Sequence, residues 1–246
     1  MNTDIVLLRI LLVTPTASLQ SLLRQGVAQC SVPTEVNEAG NAAEAEAMIA
    51  QGADLLLLDS AIPAAEKAAI CEIARAAKER PFVIAVGRDD KRSDVDGSVN
   101  RPATAGEAQR ILDGCVRSRL PTRVLIVDDS PTMCGIVRKI LSASKFPLQV
   151  SDTQDGLKAL VALRSGNYDL VFLDYNMPGF DGFEILSELR RLQSHVAVVM
   201  ITSPDTPAFA ERVLAAGAAA FLKKPFFPAD VDAVLYRLYK IDAPAQ

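Results

Sequence analysis

Short apolar runs alternate with segments of helical periodicity along the chain, most clearly in its second half. Five runs there, most of them rich in Val, Ile, Leu and Phe, lie at residues 123–128, 148–151, 169–174, 196–202 and 219–222. Segments with the spacing of amphipathic helices follow them, at residues 131–144, 155–165, 181–192, 206–216 and 228–240. Runs this apolar are typical of parallel strands that are covered on both faces. The alternation predicts a doubly wound α/β domain with right-handed crossovers.

The first half of the chain repeats this order of apolar runs. Residues 54–59 (Asp-Leu-Leu-Leu-Leu-Asp) are similar to residues 169–174 (Asp-Leu-Val-Phe-Leu-Asp). The two copies are offset by about 115 residues, and a constant offset is the signature of an internal repeat. We therefore predict two related domains in tandem, at residues 1–120 and 121–246.

The two copies differ in length before their last strand. The offset grows to about 123 residues between Gly87 and Pro102, so the first copy is about eight residues shorter there. Residues 88–97 are charged and lack apolar periodicity, whereas the second copy has the helical segment 206–216. We predict that the first domain lacks its fourth helix and has a polar loop instead.

Composition narrows the range of functions. Half of the residues are hydrophobic, and 26 basic residues against 30 acidic ones leave a formal net charge of −4. Duplex-binding surfaces usually need a basic excess, so nucleic acid is not an expected partner. The single histidine, His195, excludes a zinc site with several histidine ligands.

The cysteines and the N-terminal apolar run bear on location. The four cysteines are far apart and form no Cys-x-x-Cys pair, which favours a reducing, cytoplasmic location. The apolar run at residues 5–13 is interrupted by Arg9 and is much shorter than the roughly 20 residues that cross a bilayer. No membrane partner is expected.

Polar residues stand at the carboxyl ends of the predicted strands in the second domain. Asp128 and Asp129 follow the first strand. Asp174 ends the third, Thr202 ends the fourth and Lys224 follows the fifth. In an open parallel sheet these ends lie at one edge, where ligands bind. Three neighbouring carboxylates repel one another, and Mg²⁺ would relieve the repulsion. The pocket suits phosphoryl transfer to a carboxylate nucleophile.

The second domain resembles the receiver (CheY-like) domain of bacterial two-component response regulators over residues 121–246. The matching motifs are Val-Asp-Asp-Ser at 127–130, Leu-Asp-Tyr-Asn-Met-Pro-Gly at 173–179, Ile-Thr-Ser at 201–203 and Lys-Lys-Pro-Phe at 223–226. The resemblance implies a flavodoxin-like (βα)5 fold and phosphorylation of the domain's own aspartate, with no other enzymatic activity. It also implies a sensor histidine kinase or phosphotransfer protein as donor and a downstream protein target.

The resemblance implies a role for each motif residue. The implied ligands of Mg²⁺ are Asp128, Asp129, Asp174 and Asn176, the last through its backbone carbonyl. Asp174 would accept the phosphoryl group, and Thr202 and Lys224 would bond its oxygens. Phe221 occupies the position of an aromatic switch, which turns inward when Thr202 moves toward the phosphoryl group. Such a switch is a population shift between two conformers.

The first domain corresponds to a degenerate copy of this site. Thr14 and Pro15 stand in place of the acidic pair, Gly87 in place of the threonine and Arg101 in place of the lysine. Asp59 alone remains, at the nucleophile position. Because little is left to hold Mg²⁺, we interpret this domain as a pseudo-receiver with a vestigial Asp59. Loss of the fourth helix could expose a surface for a partner or for a homodimer.

The expected function is that of a response regulator whose phosphorylation at Asp174 switches a protein-interaction surface. No DNA-binding or enzymatic output domain is recognised in the sequence. The same pocket is compatible with a phosphate sink or relay intermediate, or with a scaffold or dimerisation module from a longer regulator. A flavin protein of the same topology is disfavoured because Asp128 and Asp129 would repel a phosphate. A haloacid-dehalogenase-like phosphatase is disfavoured because that pattern has its two acids two residues apart, whereas Asp128 and Asp129 are adjacent.

Overall fold

The protein consists of two compact units. The computed structural model describes residues 7–30, 32–87, 94–178, 181–203 and 207–244. Unit 1 comprises Met1–Arg119 and Tyr236–Gln246, and unit 2 comprises Leu120–Leu235. The division after Arg119 lies beside the predicted one. The C-terminal segment Tyr236–Gln246, which the sequence places in the second domain, is grouped with unit 1.

Unit 1 is a five-stranded parallel sheet with helices in its connections. Its elements are β1 (Leu8–Val13), α1 (Ala17–Val27), β2 (Thr34–Ala39), α2 (Ala42–Gln51), β3 (Leu55–Asp59), α3 (Ala64–Ala76), β4 (Phe82–Val86), β5 (Gly97–Val99) and α4 (Ala105–Arg117). The strand order is β2-β1-β3-β4-β5, and all of these pairs are parallel. The order reverses direction beside β1, as in other doubly wound sheets.

Unit 2 repeats this topology. Its elements are β6 (Thr122–Val127), α5 (Pro131–Ser142), β7 (Leu148–Thr153), α6 (Gly156–Arg164), β8 (Leu170–Asp174), α7 (Gly182–Arg191), β9 (Ala197–Thr202), α8 (Pro207–Ala215), β10 (Ala220–Lys223) and α9 (Pro228–Tyr239). The strand order is β10-β9-β8-β6-β7, again all parallel. Helix α9 begins in unit 2, and its last turn is grouped with unit 1.

The sequences of the central strands explain their burial. Every residue of β3, β4 and β8 is buried, whereas the edge strand β7 has no buried residue. Each buried aliphatic side chain contributes about 1.5–3 kcal/mol of transfer free energy. This burial holds the strand ends, and the polar side chains that they carry, in fixed positions.

The predicted fold, two flavodoxin-like α/β domains, is confirmed by the two five-stranded parallel sheets. All five predicted strands and all five predicted helices of the second domain are present, with ends that shift by up to about two residues. No helix in the described part of the chain has both the length and the apolar character needed to cross a bilayer.

The connection between β4 and β5 is the main difference between the units. Unit 2 has α8 at the corresponding place. In unit 1 the described residues of this connection, 87 and 94–96, form bends and a turn. Residues 88–93 of the predicted polar loop lie outside the described residues. The described residues on both sides of this gap are not helical, which agrees with the prediction that unit 1 has no helix between β4 and β5.

Candidate functional site

The polar residues singled out in the second domain lie at the carboxyl edge of the unit 2 sheet. Strand β8 ends at Asp174, β9 ends at Thr202, and β10 ends one residue before Lys224. The register places Asp174 beside Ile201, and Lys223 beside Thr202. Parallel pairing therefore brings side chains that are distant in sequence to one edge of the sheet.

Three carboxylates converge at this edge. Asp128, Asp129 and Asp174 each offer one oxygen, and these oxygens lie within 4.8 Å of one another. Asp128 and Asp174 are buried, whereas Asp129 is exposed. The backbone N–H of Ser130 donates to Asp128 Oδ1 at 3.0 Å and holds this carboxylate in place. The cluster therefore brings together carboxylates from two buried residues and one exposed residue.

Lys224 connects the two buried carboxylates. Its Nζ donates to Asp174 Oδ1 at 2.7 Å and to Asp128 Oδ2 at 2.9 Å. Burial raises the pKa of the Asp174 carboxyl above its ordinary value, although the bond from Lys224 opposes this. Burial lowers the pKa of the Lys224 ammonium, but its bonds to both carboxylates outweigh this effect and leave that pKa raised. The cluster is held together by a charged lysine.

The hydroxyl of Thr202 is fully buried and has no hydrogen-bond partner. A buried polar group without a partner costs about 1–3 kcal/mol, so its presence calls for an explanation. Thr202 is the last residue of β9, and β9 pairs with β8, which carries Asp174. An anionic oxygen placed at this edge of the sheet would be a suitable acceptor.

The site's donor set fits a hard cation and a phosphoryl group. Carboxylate oxygens are the ligands that Mg²⁺ prefers, and a lysine and a free hydroxyl can bond anionic oxygens. Asn176 is exposed, and its backbone N–H bonds to Asp174. Phe221 is half-buried beside Phe209, with ring centroids 6.3 Å apart.

Local structure after β8 fixes the position of Asp174. Gly182 begins α7, and a Cβ at this position would lie 2.3 Å from the Asp174 carbonyl oxygen. Asp181 and Glu184 form a capping box, in which each side chain bonds the other residue's backbone N–H. The helix can therefore start close under the strand end only because residue 182 has no side chain.

Sequence reasoning missed an aromatic cluster next to this site. Tyr175 follows the central aspartate and packs edge-on against Phe209, with centroids 4.5 Å apart. Arg212 donates to the Tyr175 hydroxyl at 3.3 Å and lies over the rings of Phe183 and Phe209. The position of Tyr175 directly after Asp174 was the available signal, but its partners come from α7 and α8 and depend on the tertiary structure.

Unit 1 has a different pocket at the corresponding edge. Asp59 is fully buried, and its Oδ2 accepts from Thr14 Oγ1 at 2.5 Å, Thr16 Oγ1 at 3.0 Å and Arg101 Nη2 at 3.1 Å. Its Oδ1 accepts from the backbone N–H of Ala61 at 2.9 Å. Four donors from the protein thus surround the single remaining carboxylate.

Gly87 stands where unit 2 has Thr202. Its φ of 116° lies in the left-handed region, and a Cβ would lie 2.1 Å from Ser60 Oγ. No side chain fits at this position without a shift of Ser60. Thr16 was not identified from the sequence, because it lies one residue beyond Thr14 and Pro15, which align with the acidic pair.

A family model described as "Response regulator receiver domain" matches residues 124–236. Chemotaxis protein CheY-3 of Vibrio cholerae is 33% identical over 120 residues, which cover 48% of this chain and 92% of that protein. The "Cyclic di-GMP phosphodiesterase response regulator RpfG" of Xanthomonas campestris is 33% identical over 137 residues. That match covers 55% of this chain but only 36% of RpfG.

One solved structure has a similar fold over nearly the whole chain. A "probable two-component system response regulator/GGDEF domain protein" aligns with a TM-score of 0.54 at 23% identity, covering 95% of this chain and 99% of that one. At this identity the likeness concerns the fold alone. The family match and the alignment over 92% of CheY-3 relate residues of unit 2 to receiver domains by sequence. Through residues 124–236, the chain belongs to the response regulator receiver domain family of two-component systems.

Proposed function

We propose that unit 2 is a working phosphoacceptor receiver and that Asp174 is the residue that becomes phosphorylated. The observation that carries this proposal is a buried Thr202 hydroxyl without a hydrogen-bond partner, on the strand beside Asp174. The Asp174 carboxylate lies 2.7 Å from Lys224, within a cluster of three acids and near a buried hydroxyl that has no partner. A purely structural cluster would be expected to satisfy these groups internally.

The proposed reaction is a single phosphoryl transfer. An oxygen of Asp174 attacks the phosphorus of a phosphohistidine donor, the P–N bond breaks, and the imidazole leaves with the electron pair. The product is an acyl phosphate on Asp174. Lys224 and Thr202 bond the phosphoryl oxygens and stabilise the charge that develops on them. The chain acts on its own aspartate and catalyses no other reaction.

The acidic cluster would hold the metal ion. Asp128, Asp129, Asp174 and the backbone carbonyl of Asn176 are the groups that would bind Mg²⁺, which supplies positive charge to the transferred phosphoryl group. Two of the three carboxylates are buried. An accompanying cation would therefore offset a repulsion that water screens poorly.

The proposed readout is a protein surface. Phosphorylation would draw Thr202 toward the new oxygens and favour an inward Phe221, which changes the surface formed by α8, β10 and α9. A downstream protein would bind one of the two conformers better and so sense the phosphoryl group. Neither nucleic acid nor a membrane is a proposed partner, and the cytoplasm is the proposed location.

Unit 1 is proposed to be a pseudo-receiver. Its Asp59 is enclosed by Thr14, Thr16, Arg101 and the Ala61 N–H, so its oxygens already have partners. Arg101 supplies the positive charge that a metal would supply elsewhere. A role as an interaction module, including self-association, follows from a domain that keeps the fold and lacks the phosphoacceptor chemistry.

Intact-mass measurement after incubation with acetyl phosphate and Mg²⁺ tests both assignments. Wild type and Asp59→Asn should each gain one phosphoryl group, and Asp174→Asn should gain none. A label that survives Asp174→Asn but disappears with Asp59→Asn would reverse the two roles. An unlabelled wild type in this assay and with a histidine-phosphorylated donor would overturn the proposal. A very short-lived label would identify a phosphate sink instead of a switch.

A further inference from the structure

The C-terminal segment pairs with the edge of the unit 1 sheet through one isolated antiparallel bridge. We name residues 236–242, which are grouped with this unit, the C-terminal strap. The Ser98 N–H donates to the Asp242 carbonyl at 2.9 Å, and the Asp242 N–H donates to the Ser98 carbonyl at 2.8 Å. This antiparallel bridge lies on the side of β5 that does not pair with β4. The strap therefore covers a sheet edge that would otherwise be open to strand pairing.

Side chains of the strap are buried in unit 1. Ile241 is 3% exposed, and Tyr236 and Tyr239 are also buried. The Tyr236 hydroxyl donates to the backbone carbonyl of Asp96, which precedes β5. The strap thus contributes three apolar groups and a side-chain hydrogen bond in addition to the two backbone bonds.

Two glycines leave room for the strap. A Cβ on Gly97 would lie 2.6 Å from Ile241 Cγ2, and a Cβ on Gly114 would lie 2.1 Å from the Tyr239 carbonyl oxygen. Neither glycine has a φ in the left-handed region, so backbone conformation does not require them. The close approach of the strap accounts for both, which indicates a surface shaped for this segment.

The strap continues directly from the last helix of the receiver. Helix α9 is one run from Pro228 to Tyr239, and it starts shortly after Lys224. Lys224 bonds both Asp128 and Asp174. A phosphoryl group on Asp174 would offer Lys224 new anionic oxygens and alter the start of α9. The strap begins in the last turn of this helix, so a displacement of α9 would act on it directly.

We propose that the outer edge of β5 is a strand-acceptor site for the chain's own C-terminal strap, and that phosphorylation of Asp174 loosens the strap. The second part rests on the proposed function of unit 2. The strap's few hydrogen bonds make it a segment that can open locally while both sheets stay folded.

Amide hydrogen exchange on the full chain tests the docking directly, because the Ser98 and Asp242 amides are the donors of the bridge. In wild type both should exchange much more slowly than free peptide. Ile241→Glu should speed exchange at both by at least about tenfold, since it places a charge at a buried apolar site. Ala243→Glu is the matched control, because Ala243 is exposed and should leave both rates unchanged.

Two results would overturn docking in cis. Unprotected Ser98 and Asp242 amides in wild type would exclude the docked strap without reference to any variant. Protection that appears only with a dimeric mass in light scattering would show that the strap binds a second copy of the chain instead.

Beryllium fluoride with Mg²⁺, a mimic of the phosphoryl group on aspartate, tests the link to Asp174. Exchange at Ser98 and Asp242 should become several-fold faster in wild type and stay unchanged in Asp174→Asn. If residues 170–176 become protected while the strap is unaffected, the link is wrong and the proposed function stands. If residues 170–176 do not respond, the proposed function fails and the link fails with it. Slower exchange at the strap would reverse the proposed direction.

Discussion

Asp59 and Asp174 occupy the same place on two sheets of the same topology, yet their surroundings are opposite. Asp59 accepts hydrogen bonds from three side chains and one backbone N–H. Asp174 accepts from Lys224, which it shares with Asp128, and from the Asn176 backbone N–H, and a buried hydroxyl without a partner lies on the next strand. The donors around Asp59 all bond its carboxylate, whereas the buried Thr202 hydroxyl beside Asp174 is left without a partner. Unsatisfied groups at a fixed position are what a site needs in order to bind charge from outside.

The difference comes from a few residues at the strand ends. Unit 2 places Asp128 and Asp129 after its first strand, where unit 1 places Thr14 and Pro15. The two carboxylates add negative charge beside Asp174, and the resulting repulsion favours the binding of a cation. The Thr14 hydroxyl donates to the remaining aspartate instead. The same fold therefore carries either a reactive or an inert aspartate, depending on what stands beside it.

The largest expected effect concerns metal binding. Asp128→Asn and Asp129→Asn should each weaken Mg²⁺ binding by more than about tenfold, because each removes one charged ligand of a hard cation. Isothermal titration calorimetry measures this, which suits a chain without tryptophan. Glu46→Gln removes one exposed negative charge in α2 of unit 1 and should leave binding unchanged. Equal losses in all three variants would show that only net charge matters.

The same substitution should have opposite effects on stability in the two units. Asp59→Asn should lower the free energy of unfolding by about 1–3 kcal/mol, because buried donors lose a charged acceptor. Asp174→Asn should raise it by about 1 kcal/mol, because it removes a carboxylate whose charge is disfavoured by burial and by the nearby Asp128. Urea denaturation, with native-state hydrogen exchange to assign each unit, measures both changes. Effects of the same sign would remove the contrast between the two pockets.

The pH dependence of stability sharpens this comparison. Burial raises the folded-state pKa of Asp174 above the ordinary value of 3.8. The folded protein therefore binds this proton more tightly than the unfolded chain does, and the associated stability is lost as pH rises through the folded pKa. Wild type should lose stability relative to Asp174→Asn as pH rises from about 3.8. Denaturation at several pH values checks the slope, and parallel curves would contradict it.

The hydroxyl of Thr202 should cost stability while it serves the reaction. Thr202→Val removes a buried group without a partner at nearly constant volume, and should stabilise the Mg²⁺-free protein by about 1 kcal/mol. The same variant should be phosphorylated more slowly, because one donor to the phosphoryl oxygens is lost. Urea denaturation and a labelling time course give the two readouts. A destabilised variant would mean that the hydroxyl has a partner in solution.

The smallest expected effect lies in the aromatic cluster. Arg212→Met should destabilise unit 2 by about 0.5–1 kcal/mol, since it removes two cation–π contacts and a bond to Tyr175 at a partly exposed position. Thermal denaturation measures this loss. Lys139→Met is the control, because Lys139 is an exposed cation on α5 outside this cluster.

Much of the fold could be predicted because its signals are local. The runs ending at Asp59 and Asp174 are apolar enough to be recognised as buried strands, and helix starts such as Asp155 and Asp181 cap their own backbones. The acidic site was predictable because parallel strands bring their carboxyl ends together. The assignment of residues 236–246 was not, since the strap lies about 140 residues from its partners in β5, and no local pattern encodes that pairing.

The sequence by itself determined the repeat, the alternation of strands and helices, and which strand ends carry acids. Periodicity and residue type are sufficient for these, because burial of apolar runs dictates the sheet. Only the tertiary structure decided which groups are left without partners. Thr14, Thr16 and Arg101 close around Asp59, Thr202 is left with a free hydroxyl, and Ile241 fills the space that Gly97 leaves. Hydrogen-bond satisfaction and close packing are set by distances between residues far apart in the chain, and these distances exist only once the chain has folded.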